Sequence, residues 1–172
     1  SRTTASDVVI VGAGVVGGSL AVALWQQGYP VVAVASRTFA SAQSLASRVA
    51  GCAPFASVQE AADASDVVLI TTPDDAIEPV ASGISWRPGQ GVVHCSGVAS
   101  LDVLEPARSR GALPGAIHPL QTFSSVDDAV KTLPGATFAI EGDGEMRTFL
   151  EGIATELGGV SVFLRPEDKP LY

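Results

Sequence analysis

Apolar positions in this chain gather into short unbroken runs, and the segments between them carry a helical spacing. Asp7-Val8-Val9-Ile10-Val11 is the first run, and glycines follow at once. Residues 14–27 then place Val15, Val16, Leu20, Val22 and Ala23 at helical intervals up to Gly28. Val31-Val32-Ala33-Val34-Ala35 is a second strand after Pro30. A helix capped by Thr38 or Ser41 is expected through Val49, then a short strand near residues 53–56 and a short helix opened by Ser57 and Glu60. Asp66–Thr71 and Gly91–Cys95 are further strands, with helices over Asp74–Ser82 and from Ser100 through Arg108. Ala112–His118 is the sixth strand, ended by Pro119. The pattern assigns nothing between Pro119 and Ala136. It then gives a strand at residues 136–140, a helix over Gly144–Leu157 and an eighth strand at residues 160–164. Strands that alternate with helices of this length imply crossover connections and a largely parallel sheet.

The bulk numbers agree with a sheet buried on both faces. The chain has 172 residues, enough for one domain with a real core; 47% are apolar and only 16% charged. Mean hydropathy is +0.34, far from a disordered composition. The net charge of −8 counts against nucleic acid or an anionic membrane surface as partner. No apolar run reaches the roughly 18 residues of a membrane span. No signal peptide is read at Ser1-Arg2-Thr3-Thr4, so a cytoplasmic protein is expected. Two cysteines, Cys52 and Cys95, make neither a disulfide framework nor a metal cluster and read as small buried hydrophobes. The only methionine is Met146, and the chain stops at residues 167–172 without a closing element. Both ends are therefore expected to be cut, with a domain over residues 5–165 and the start of a second one at 166–172.

Chemistry enters at Gly12-Ala13-Gly14-Val15-Val16-Gly17. A bare G-x-G-x-x-G is weak in a chain with 18 glycines, but this one leaves a strand and opens a helix, the context that gives it meaning. Gly12 permits a tight turn, Gly14 lets backbone approach a pyrophosphate, and Gly17 lets helix pack on strand. The pyrophosphate then meets free N–H groups and the positive end of the helix dipole. The fold class that follows is α/β: a Rossmann-type doubly wound, mostly parallel sheet of six to eight strands with helices on both faces.

The end of the second strand selects the dinucleotide. NAD-binding folds usually place an acid there, about 20 residues on, for the ribose 2′-hydroxyl. Here Ala35-Ser36-Arg37-Thr38 holds none. Arg37 suits a 2′-phosphate, with Ser36 and Thr38 as hydrogen-bond donors, so NADP is favoured over NAD. The missing acid also counts against S-adenosylmethionine. Ligands in such sheets lie beyond the C-terminal strand ends. Thr72, Pro73 and Ile77 follow the fourth strand and are expected to border the cofactor, while Asp74 and Asp75 suit a capped helix start. His94-Cys95-Ser96-Gly97 follows the fifth strand. Ser96 is a candidate catalytic residue; His94 is as readily a buried structural histidine as a functional one. His118 is held extended by Pro119 at the same rim and is the candidate for the proton that accompanies hydride transfer. Gln121 and Thr122 could bind a carboxylate or carbonyl.

Together the glycine turn, Thr72-Pro73-Asp74-Asp75-Ala76-Ile77, His94-Cys95-Ser96-Gly97 and His118-Pro119-Leu120-Gln121-Thr122-Phe123 resemble the Rossmann-like proteins that carry a C-terminal domain of unknown function, number 2520. That family is similar in layout to pyrroline-5-carboxylate reductases, 6-phosphogluconate and β-hydroxyacid dehydrogenases, prephenate dehydrogenases and deazaflavin-dependent NADP reductases. The resemblance implies an oxidoreductase of a small-molecule substrate whose helical second domain, absent here, completes the substrate site and forms a homodimer. No matching catalytic lysine helix of the hydroxyacid dehydrogenases is present. Two function classes stay open: an NADP-dependent oxidoreductase, of which this piece alone would be inactive, and an NADP(H)-binding sensor or scaffold without turnover.

Overall fold

The computed structural model describes residues 6–165, 167 and 168. Among them eight strands form one sheet: β1 (Val8–Val11), β2 (Val31–Ala35), β3 (Ala53–Phe55), β4 (Val67–Ile70), β5 (Gly91–His94), β6 (Leu113–Pro119), β7 (Thr137–Glu141) and β8 (Val160–Phe163). The order is β3-β2-β1-β4-β5-β6-β7-β8. The helices are α1 (Val15–Gln26), α2 (Phe39–Ala46), α3 (Val58–Asp63), α4 (Asp74–Gly83), α5 (Glu105–Arg108), α6 (Val126–Thr132) and α7 (Gly144–Glu156).

Strand β1 shows why the apolar runs are unbroken. All four of its side chains are buried: Val8 and Ile10 join the core under α1 and α7, and Val9 and Val11 join the core under α4 and α5. Each such burial is worth about 1.5–3 kcal/mol, so a polar residue on either face would cost stability. The expected doubly wound α/β fold is present. Strands β1 to β6 are parallel in the order 3-2-1-4-5-6; β7 then runs antiparallel to β6, and β8 is parallel to β7. The winding direction reverses between β1 and β4, which opens a crevice at their C-terminal ends.

Register fixes what meets at that rim. Ala35, Val11, Ile70, His94 and Ala116 lie in one transverse line across β2, β1, β4, β5 and β6. Gly12, Ser36, Thr71 and Cys95 therefore stand one residue beyond the line, and His118 two beyond it on β6. His94 and His118 share a face of the sheet, because His94 is opposite Ala116.

Two local differences from the pattern have physical causes. The helix expected from Ser100 through Arg108 is a 3₁₀ turn over Leu101–Leu104 followed by the single turn of α5. Pro106 has no N–H to continue a ladder across that joint. The stretch after Pro119 contains α6, which Ser125 caps by accepting from the Asp128 N–H at 3.0 Å. Helix α6 packs on α1 at Gly18, where an added Cβ would sit 2.8 Å from Val126. The expectation that residues 166–172 begin a second domain falls mostly on positions outside those described.

Candidate functional site

The glycine turn is built as its spacing implies, and each glycine is there for a different reason. Gly12 has φ +110°, a conformation side chains resist. A Cβ on Gly17 would collide with the Gly12 carbonyl oxygen and Thr71 Oγ1. Gly14 has an ordinary extended φ of −82°, and a Cβ there would meet nothing within 4 Å. Neither conformation nor packing within the chain demands glycine at position 14. Thr71 pins the turn from β4: its hydroxyl lies 3.1 Å from the Val11 carbonyl oxygen and 3.0 Å from that of Gly12.

Helix α1 begins here with no side-chain cap and no acid in its first turn. Its first amides have no intrahelical acceptor, and the positive end of the dipole is uncompensated. These groups face a cleft of about 700 Å³ that also holds Ser36, Arg37, Thr72 and Pro73. Thr72 Oγ1 is buried with no hydrogen-bond partner among the described residues. Arg37 makes no ion pair with any described residue. The donors, the unspent guanidinium and the orphaned hydroxyl fit a dinucleotide phosphate.

Of the residues expected to contact the cofactor, Gly12, Ala13, Gly14, Val15, Val16, Ser36, Arg37, Thr72 and Pro73 line this one cleft. Gly17 lies behind it as the packing glycine. Thr38 and Ile77 are placed otherwise. Thr38 caps α2, its Oγ1 2.7 Å from Ser41 Oγ. Ile77 is in the core at 1% exposure. The cleft wall instead uses the neighbouring face of α4, Ala76 and Val80, with Val58 of α3. These form an apolar slot, with Asp75 on the same wall.

The rim at β5 and β6 is organised by side chains bonded to backbone. His94 is fully buried. Its Nδ1 accepts from the Ser96 N–H at 3.1 Å, so Nε2 carries the proton and donates to the Ser100 carbonyl at 3.2 Å. That places His94 on the structural side of its two readings. Ser96 is 6% exposed, and its hydroxyl oxygen accepts from the N–H groups of Val98 and Ala99 at 3.1 and 2.9 Å. Only its hydrogen remains to donate. His118 is half-buried, and its Nδ1–H donates to the Cys95 carbonyl at 3.1 Å, leaving Nε2 without a hydrogen bond among the described residues. Gln121, offered above as a substrate ligand, spends its amide N–H on the Thr132 carbonyl at 3.0 Å. Cys52 offers no ready nucleophile, since burial pushes its thiol up to about 11. No metal-binding group of three His, Cys, Asp or Glu occurs among the described residues, and no described helix is long and apolar enough to cross a membrane.

Residues 2–119 match the family described as Rossmann-like domain. The chain belongs to that family. No curated protein matches it. Among solved structures, this Rossmann-like chain is similar to a candidate NADP oxidoreductase from Bacteroides fragilis, at 28% identity and TM-score 0.83, over 96% of this chain and 63% of that one. It shares a fold with an imine reductase from Aspergillus terreus, at 23% identity and TM-score 0.76, over 98% and 58% of the two chains. It also shares one with prephenate dehydrogenase from Aquifex aeolicus, at 19% identity and TM-score 0.79, over 93% and 62%. The chain thus spans less than two thirds of the length of each.

Proposed function

We propose that this Rossmann-like chain is the cofactor-binding domain of an NADP-dependent oxidoreductase acting on a small carbonyl, imine, hydroxy acid or amino acid. The observation that carries the reading is Gly14. Its side chain is absent where the chain itself would tolerate one, directly before an uncapped helix, in a cleft shared with Arg37, which makes no ion pair with any described residue, and with no acid at the end of β2. The first-turn amides of α1 hold a pyrophosphate, and Arg37 with Ser36 holds a 2′-phosphate. Bound there, the cofactor supplies hydride transfer. His118 Nε2 takes or gives the accompanying proton at the substrate oxygen or nitrogen, and the Ser96 hydroxyl, with one hydrogen to donate, orients that group.

The similar structures support the chemistry as described for those proteins: the Aspergillus imine reductase was solved with NADPH4 and dibenz[c,e]azepine. Prephenate dehydrogenase was solved with NAD⁺, so the preference for NADP rests on Arg37 rather than on the fold. The narrower resemblance to proteins carrying domain of unknown function 2520 belongs to the same proposal, as do a cytoplasmic setting, a helical second domain that completes the substrate site, and a homodimer formed through it. On this reading the chain alone holds cofactor without turning over.

A second reading, an NADP(H) sensor or scaffold, is favoured by one feature. His94 and the hydroxyl oxygen of Ser96 are spent on backbone, and no general-base pair stands at the rim among the described residues. NADPH oxidation by the longer protein against a panel of cyclic imines, ketones and 2-oxo acids separates the two. Turnover that falls when His118 becomes Asn supports the enzyme. Tight NADPH binding with no oxidation by any compound supports the sensor.

A further inference from the structure

Gly97 has no side chain for a reason that its own backbone does not supply. Its φ lies outside the left-handed region, so any residue could adopt it. Space decides instead. A Cβ on Gly97 would lie 2.7 Å from His118 Nε2, 2.9 Å from Cδ2 and 3.1 Å from Cε1. A point reached by moving outward from Nε2 in the ring plane would be much farther from the two carbons than from the nitrogen. Three such similar distances place the point above the ring face, over its Nε2 edge. Gly97 is therefore a floor beneath the His118 imidazole.

The floor is itself braced. His94 accepts from the Ser96 N–H and donates to the Ser100 carbonyl, so one buried ring spans the loop from 96 to 100. Ser96 Oγ ties the Val98 and Ala99 amides. The Cys95 carbonyl, next to this loop, accepts the Nδ1–H of His118. One short segment thus sets both the plane of the His118 ring and its tautomer.

We propose that Gly97 is a positioning residue for His118. With the Cys95 carbonyl it holds the imidazole flat, with the proton on Nδ1 and Nε2 left as the proton-exchanging atom. A side chain at 97 lifts the ring, stretches the Nδ1–H bond to Cys95 and releases the tautomer. The inference rests on the reading of His118 as the proton-transfer group, but its geometry can be tested apart from turnover.

The chain has only two histidines, which makes nitrogen-15 NMR of the imidazoles decisive. In the unaltered 172-residue chain, with both rings neutral, His94 shows a protonated Nε2 and His118 a protonated Nδ1: opposite tautomers in one spectrum. Gly97→Ala moves the His118 nitrogens toward a mixture of tautomers and leaves those of His94 in place. Gly152→Ala, where a Cβ meets nothing within 4 Å, is the control and moves neither. Finding His118 protonated on Nε2 in the parent, or unmoved nitrogens in Gly97→Ala, overturns the proposal. Should Gly97→Ala fail to fold, the pair Gly97→Ala, His118→Ala decides. Folding restored to the level of His118→Ala alone supports the floor, and failure of the pair overturns it. NADPH binding, followed by its fluorescence in the same samples, keeps the two ideas apart. No NADPH binding by the parent defeats the oxidoreductase reading whatever the tautomer, whereas a wrong tautomer with binding intact defeats only the role of Gly97.

Discussion

At the β1–β4 switch point polar groups are left without partners, whereas at the ends of β5 and β6 the same kinds of group are bonded within the chain. Among the described residues the start of α1 has no side-chain cap, Arg37 no ion pair and Thr72 Oγ1 no partner. A few strands away His94 makes two bonds to backbone, Ser96 Oγ accepts two, and His118 gives one proton to a carbonyl. On the proposed function the missing partner is the ligand, and the buried Thr72 hydroxyl alone costs about 1–3 kcal/mol until something meets it. Bonded side chains around one open nitrogen are instead a frame that aims a single atom. On the proposed function, the first region serves affinity and the second orientation.

If that division holds, substitutions in the two regions fail differently. His118→Asn lowers turnover of the longer protein about 10²–10⁴-fold, the usual worth of a positioned acid or base, while NADP affinity in a calorimeter changes little. A parallel fall in affinity would erase the distinction. Gly17→Ala drives a methyl into the Gly12 carbonyl and costs about 3 kcal/mol of stability, read by thermal melting. Gly14→Val sharpens the contrast within the turn: the melting temperature stays near that of the parent, yet NADP binding falls about 10–100-fold, because only the ligand occupies that space. Arg37→Asp weakens NADP by a similar factor, from a lost charge-assisted bond of about 1.5–3 kcal/mol plus repulsion, and NAD far less. Thr71→Val removes the hydroxyl that clamps the turn to β4 and costs about 1 kcal/mol, with a smaller loss of affinity.

The cleft was easier to read from sequence than the rim, for physical reasons. The spacing of Gly12, Gly14 and Gly17 encodes local backbone demands, and Arg37 follows a strand whose end is visible in the pattern. Thr71 could not be found that way, since its hydroxyl matters only because β4 lies beside β1. The choice of Ile77 over Ala76 and Val80 is an error of helical phase. Ile77 and Ala81 face the core, while the cleft takes the row one residue earlier. Thr38 served as a helix cap, a role the sequence also allowed it. Helix α6 did leave a signal, in Ser125 three residues before Asp128 and in the spacing of Val126, Ala129, Val130 and Leu133, but the helix is only seven residues long. At the rim, residue types alone left His94 and His118 on equal terms. Their hydrogen bonds distinguish them: those of His94 stay within its own loop, and that of His118 to the Cys95 carbonyl depends on how β5 and β6 align.

Calorimetry of the 172-residue chain with NADP and with NAD tests the central claim most directly. A cleft lined by Arg37 predicts NADP bound at least about tenfold more tightly than NAD, with that margin lost in Arg37→Asp. Equal affinities for the two dinucleotides, or no binding of either, would contradict it.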